Sequence, residues 1–213
     1  MVEEIPDKNI FMMCKTLNNA ALVTMPIGFY IRNCRPNELG IWREMPFDNL
    51  EEAKEYEGFM KDFFETTYGG KEDLFFQNTL FVCDESGEPI GTCLLWKSYK
   101  EFNTIHWLKI KKGYEGLGIG RALLSIILKG LKEEDYPVYL HTQPGSYRAI
   151  KLYSDFGFCL LSDSVIGNRQ NDLEECLPIL QQYMPKKDFD HLKITQAPRY
   201  FIDTLKEFDT IEF

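Results

Sequence analysis

The chain has no apolar run fit to cross a bilayer. Its longest, Ala122 to Leu128, is broken by Ser125, and a spanning helix needs about 20 such residues. Histidine is scarce: His106, His141 and His191 have no short ligand spacing, so no metal centre is expected. The six cysteines (Cys14, Cys34, Cys83, Cys93, Cys159 and Cys176) are scattered without a C-x-x-C pair. The opening Met1-Val2-Glu3-Glu4 is acidic where a secretory signal is basic, and no apolar stretch follows. A soluble, cytoplasmic protein with reduced thiols is the expectation. Basic residues are also in short supply. The 24 Lys+Arg face 33 Asp+Glu, a net charge of −9, which argues against nucleic-acid and anionic-membrane partners. The phosphate-binding pattern G-x-x-x-x-G-K-[ST] is missing as well.

What is present is enough apolar material for a full core. Of the 213 residues 44% are hydrophobic and 14% aromatic, which excludes a disordered chain. Residues 29–34 read as a strand, ended by the turn signal Arg35-Pro36-Asn37. Residues 49–67 have the spacing of one amphipathic helix. Strands over 79–84 and 89–97 flank Asp84-Glu85-Ser86-Gly87-Glu88-Pro89, a hairpin signal. From residue 104 the pattern is strand (104–111), helix (118–133), strand (138–141), helix (146–156) and strand (158–161). That alternation predicts a partly parallel sheet covered by helices, in a mixed α+β fold. Residues 172–184 look helical, with Pro178 expected to kink or split the helix. Residues 1–167 are expected to form the core and 168–213 a helical appendage packed on it, with Tyr200, Phe201 and Phe213 packing on this core or on a partner.

The most informative segment is Lys111-Lys112-Gly113-Tyr114-Glu115-Gly116-Leu117-Gly118-Ile119-Gly120-Arg121, which joins a strand directly to a helix. Glycines let a backbone approach a ligand closely, and a helix N-terminus favours an anion. Lys109, Lys111, Lys112 and Arg121 against Glu115 give this stretch a local excess of three positive charges. The dinucleotide pattern G-x-G-x-x-G fails here, because Arg121 stands at its last glycine.

This loop resembles the [QR]-x-x-G-x-[GA] signature of the GNAT (GCN5-related) N-acetyltransferases. Gly118-Ile119-Gly120 takes the glycine positions, and Glu115 stands where the family prefers Gln or Arg. A second block, Ser146-Tyr147-Arg148-Ala149-Ile150-Lys151-Leu152-Tyr153 followed by Phe156-Gly157-Phe158, is similar to the family's N-x-x-A-x-x-L-Y-x-x-x-G-F, with Ser146 replacing Asn. The resemblance covers about residues 28–162. It implies helices on both faces of a sheet whose central parallel strands, 104–111 and 138–142, splay around acetyl-CoA. It implies that Leu108, Lys109 and Ile110 hold the pantetheine arm with Ser146. Glu115, Gly116, Leu117, Gly118, Ile119, Gly120 and Arg121 would hold the pyrophosphate, and Tyr153 would meet the CoA sulfur as general acid, whereas spacing alone reads Ala149, Leu152, Tyr153 and Phe156 as a helical core stripe.

The implied reaction is direct acetyl transfer to a primary amine, from a small molecule or a peptide, by a monomer or homodimer. The alternative is a non-catalytic acyl-CoA-binding module. His106 is the candidate base for the amine, beside the reading of a hydrogen-bonded strand histidine, and Glu65 is a weaker candidate. His141 is structural or lines the cleft. Phe63, Phe64, Tyr68, Phe75 and Phe76, interleaved with Glu65, Glu72 and Asp73, suit a cationic amine or, as the simpler reading, form core and a solvated face.

Overall fold

A computed structural model describes residues 5–208. The expectations placed on Met1–Glu4 and Phe213 lie outside them. In chain order the elements are β1 (Ile10–Cys14), β2 (Tyr30–Asn33), α1 (Leu39–Glu44), α2 (Leu50–Glu55), α3 (Glu57–Tyr68), α4 (Glu72–Asn78), β3 (Thr79–Cys83), β4 (Pro89–Ser98) and β5 (Phe102–Ile110). There follow α5 (Ile119–Lys129), β6 (Val138–Thr142), α6 (Tyr147–Asp155), β7 (Phe158–Leu161), β8 (Val165–Ile166), β9 (Arg169–Gln170), α7 (Leu173–Tyr183), α8 (Lys186–Phe189), β10 (Ile194–Thr195) and α9 (Arg199–Leu205). The main sheet has the strand order β10-β7-β1-β6-β5-β4-β3-β2, and β8 pairs with β9. Parallel and antiparallel pairs are mixed in that sheet and helices flank it, so the class is the expected α+β.

The chain divides into two compact units, and β4 and β5 each run on from one into the other. One comprises residues 5–21, 97–104 and 132–208. At its centre β1 pairs antiparallel with β6, from Ile10↔Thr142 to Cys14↔Val138, and with β7. All five β1 residues are buried, as expected of a strand covered on both faces. The sequence pattern did not mark it: Ile10-Phe11-Met12-Met13-Cys14 is short and carries no alternation. β6 pairs in parallel with the start of β5 at Asn103↔Val138 and Thr104↔Tyr139. Residues 168–208 belong wholly to this unit. They are not purely helical, since β10 adds to β7 in parallel and α9 sends Phe201 and Leu205 into a core with Phe11, Met13, Phe102 and Tyr139. α7 runs through Pro178 without a break; Leu173, Cys176 and Leu180 are buried and hold it across the missing donor.

The other unit comprises residues 22–96 and 105–131. β2, β3 and β4 form an antiparallel meander. Its core gathers Trp42, Met60, Phe64, Tyr68, Phe75, Phe81 and Trp96. The single helix expected over 49–67 is two. Asn49 caps α2 by accepting the Glu52 N–H at 2.9 Å. Tyr56 then leaves the helix at φ −93°, ψ 6°, and its ring stacks on Phe47 at 5.3 Å. The break turns Met60, Phe64 and Tyr68 into the core.

Phe201 is fully buried, with ring centroids 4.8 Å from Phe102 and 5.0 Å from Tyr139. Phe201→Ala is expected to lower the unfolding free energy by about 3–5 kcal/mol. Exposed Tyr200→Ala should lower it much less, both measured by urea denaturation.

Candidate active site

The site begins with an irregularity in β5. Trp107 has φ +54°, a left-handed conformation that costs a bulky L-residue roughly 1–2 kcal/mol. A regular strand sends successive side chains to opposite faces. Here His106 bonds the Tyr68 hydroxyl of α3, while the adjacent Trp107 packs against the aromatic cluster that contains Tyr68. Trp107 also meets Trp42 and Phe63 edge-on, at 5.7 and 5.1 Å between centroids. Simple alternation from His106 to Leu108 therefore does not hold across this point.

His106 is 6% exposed. Its Nδ1 lies 2.7 Å from the Tyr68 hydroxyl, and its Nε2 is buried with no hydrogen-bond partner among the described residues. Burial pushes its pKa down to about 3, so the imidazole is neutral near pH 7. Burial likewise drives the Tyr68 phenol well above its ordinary value. The surroundings are aromatic: Tyr68 lies 4.9 Å from Trp96 and 6.0 Å from Trp42, and the indole N–H groups of both tryptophans also lack acceptors among the described residues. Each such buried N–H costs about 1–3 kcal/mol.

Beyond Ile110 a single helical turn over Lys112–Tyr114 leads into the glycines. Gly116 and Gly118 have φ +79° and +81°, which only glycine adopts without strain, and the space where their Cβ atoms would lie is open. Gly118 is the N-cap of α5, and no side chain caps that helix. Its first-turn N–H groups thus face an open cradle. The cations are partly committed. Lys109 donates to Asp48 at 2.7 Å and holds that carboxyl below its usual range, and Lys111 donates to Glu88 at 2.7 Å. Lys112 is exposed and Arg121 half-buried.

Beside this loop lies a cleft of about 370 Å³. Apolar Ile41, Met45, Phe47, Leu50 and Ala53 line it together with Glu44, Asp48, Lys111, Lys112 and Tyr114. The pairing of Asp48 with Lys109 gives no signature in sequence, because 61 residues separate the two.

The remaining candidates are placed as follows. Tyr153 is 6% exposed on the buried side of α6 with Ile150, its ring 5.7 Å from Phe158. Ser146 is half-buried at the α6 N-cap, and its side chain makes no capping bond. His141 sits 2.9 Å from Asn9 Oδ1, with the Arg169 guanidinium against its ring. Glu65, Glu72 and Asp73 are exposed, whereas Phe64, Tyr68 and Phe75 are buried and Phe63 and Phe76 half-buried, which is the arrangement of a core and a solvated face. The cysteines are free thiols, and burial pushes Cys14 and Cys34 up to about 12, so neither is a ready nucleophile. Among the described residues no helix is long and apolar enough to cross a membrane, and no cluster of three metal-ligating side chains forms.

A model of the acetyltransferase (GNAT) family matches residues 42–158, more than half of the chain. The chain belongs to the GNAT acetyltransferase family. The match begins at Trp42, later than the resemblance in sequence, and ends at Phe158. No curated protein sequence matches the chain. Among solved structures, a functionally unknown conserved protein from Staphylococcus epidermidis is 14% identical, with a TM-score of 0.52 over 71% of this chain and 57% of that one. A Pyrococcus horikoshii protein is 22% identical, with a TM-score of 0.50 over 65% and 93%. A GCN5-related N-acetyltransferase from Sphaerobacter thermophilus is 19% identical, with a TM-score of 0.44, and this chain spans 43% of its length. At these identities the first two likenesses are of fold alone.

Gly118→Ala should lower stability by about 1–2 kcal/mol in urea. Gly113→Ala, with open space and no left-handed φ, should stay within about 0.5 kcal/mol. His106 gives a pH signature. Its folded pKa lies below the ordinary value of 6.5, so protonation favours the unfolded chain, and its contribution is present above pH 6.5 and lost as pH falls toward 3. His106→Gln should therefore lose less stability than the parent between pH 6.5 and 4, read by urea titration at each pH.

Proposed function

We propose that the protein transfers an acetyl group from acetyl-CoA to a primary amine by direct attack, with both substrates bound. The observation that carries this reading is the pair of left-handed glycines, Gly116 and Gly118, opening an uncapped α5 directly after the kinked strand β5. That cradle suits a pyrophosphate, and its lining fits CoA. The backbone of Glu115, Gly116, Leu117, Gly118, Ile119 and Gly120, with Arg121, would hold the pyrophosphate. Leu108, Lys109 and Ile110 would pair with the pantetheine arm as an added strand would, and Ser146 would assist. A backbone N–H of β5 beside the thioester carbonyl would stabilise the oxyanion that forms on attack.

Bound acetyl-CoA supplies an activated thioester. The amine lone pair forms the new C–N bond, and the C–S bond breaks with its electron pair going to sulfur. Tyr153 would protonate that sulfur, and the nitrogen sheds one proton, so the exchange balances as amide plus free thiol. A covalent cysteine intermediate has less support, since burial raises the Cys14, Cys34, Cys83, Cys93 and Cys176 thiols. The cleft, with Glu44 and Asp48 in its lining, suits an amine of moderate size.

At a hundredfold excess over Kd, acetyl-CoA should add about 2.7 kcal/mol, a Tm rise of roughly 5–10 °C, where ATP and NAD give little. Stabilisation confined to nucleotides without pantetheine would sink the assignment. In an amine panel followed by thiol release, Tyr153→Phe should lower kcat by roughly a hundredfold or more at unchanged Tm. Full turnover in that variant removes Tyr153 as the acid, and binding without turnover of any amine leaves a CoA-binding module.

A further inference from the structure

The cleft beside the glycine loop is lined within one compact unit, by α1, the turn into α2 and residues 111–114. Lys111 follows directly on Leu108–Ile110, so the cleft opens at the end of the strand proposed above to hold the pantetheine arm. Two properties of its lining bear on what enters. The first is uncovered apolar surface: Leu50 is 67% exposed and Ile41 37%, and half-buried Phe47 is held beside them by its stack on Tyr56. Large apolar side chains in a concave lining gain when a ligand covers them. The second is balance of charge. Lys109 bonds Asp48 and Lys111 bonds Glu88, each at 2.7 Å. Two charged groups are left over, Glu44 at the end of α1 and Lys112 in the loop, both exposed and without an ion pair among the described residues. Lys112 acts on the Asp48 carboxyl from a distance, but that carboxyl already serves Lys109. Three cations (Lys109, Lys111, Lys112) and three anions (Glu44, Asp48, Glu88) sum to zero, in a chain of net charge −9. A polyamine or a lysine-rich peptide is not favoured by such a lining, whereas a molecule carrying both signs meets a partner at each leftover group.

We propose that this cleft binds the acceptor and that the acceptor is a free apolar amino acid, with Lys112 receiving its carboxylate, Glu44 its amine, and Ile41, Phe47 and Leu50 its side chain. The fate of the amine rests on the acetyltransferase reading above; the binding does not. A carboxylate accepts hydrogen bonds from an ammonium and from a free amine alike, so Glu44 keeps its hold on the nitrogen as the proton leaves. Lys112 sets specificity through what an analogue lacks: an amine of the same shape without the carboxylate leaves the ammonium group with nothing to bond. The apolar residues reject glycine in the same way, since it has no side chain to cover them.

Calorimetric titration of the full chain, with and without saturating CoA, reads binding without turnover. The ligands are leucine, methionine and phenylalanine, each beside the amine left by removing its carboxylate, with glycine and spermidine as controls. At least one of the three amino acids should bind about tenfold or more tighter than its matched amine, the size of one charge-assisted hydrogen bond. Lys112→Ala should erase that preference, and Leu50→Ser should weaken the amino acid and its amine together. Tighter binding of the matched amines or of spermidine, or no binding of any of the three amino acids, overturns the proposal. With acetyl-CoA present and thiol release followed, Lys112→Ala should raise KM for the amino acid about tenfold and leave KM for acetyl-CoA where it was. A rise in KM for acetyl-CoA instead would give Lys112 to the CoA phosphates and overturn the assignment. Amino-acid binding that depends on Lys112 without thiol release would keep the site and defeat the acetyltransferase reading.

Discussion

A tryptophan at φ +54° inside a strand is a conformation that persists only where its surroundings over-determine it. At Trp107 they do. The indole is wedged edge-on against Trp42 and Phe63. Had β5 kept a regular pleat, His106 and Trp107 would project to opposite faces. The strain at Trp107 thus accompanies an arrangement in which Trp107 packs on the aromatic cluster while His106 bonds Tyr68 within it. The same segment leads, within a few residues, to the glycines whose left-handed φ opens the anion cradle. Two departures from ordinary backbone, one strained and one permitted by glycine, define the site.

Those two departures differ in how far sequence reveals them. Glycine leaves a mark, because a left-handed position selects for it, so Gly116 and Gly118 were readable, and Gly118 with Gly120 carried the family resemblance. Trp107 leaves none: the residue at the strained position is not of the type the conformation favours, and Phe102–Ile110 reads as an ordinary strand. His106 was accordingly visible as a candidate, but its environment was not. His106 bonds Tyr68, 38 residues away, and no local pattern encodes that pairing.

The same division runs through the fold. Periodicity and turn chemistry located the β3–β4 hairpin and the succession from β5 through α5, β6 and α6 to β7, since each carries local signals. β1 escaped because a fully buried strand has no alternation, and five apolar residues do not announce their partners. The helix break at Tyr56 escaped because the apolar spacing continues through it; what ends α2 is the stacking of Tyr56 on Phe47. In the C-terminal residues the pairing of Ile194 and Thr195 with β7 is too short to show in any window, and burial of Phe201 and Leu205 makes α9 part of a core, not a surface addition.

Charge acquires a different meaning once partners are known. The loop over residues 109–121 carries an excess of three positive charges, which invites the view that lysines capture the phosphates of CoA. Asp48 and Glu88 take two of those charges, leaving a surplus of one. Such exposed pairs contribute little to stability, but they fix the lysines in place and reduce the long-range field. On the acetyltransferase reading, attraction for a pyrophosphate would then come chiefly from the backbone, at the left-handed turns of Gly116 and Gly118 and at the N-terminus of α5, which no side chain caps. A backbone-built cradle would also accommodate Glu115 where the family prefers Gln or Arg, because its side chain would not be what holds the anion. It would let a chain of net charge −9 take up a polyanion at one place while its surface at large repels them.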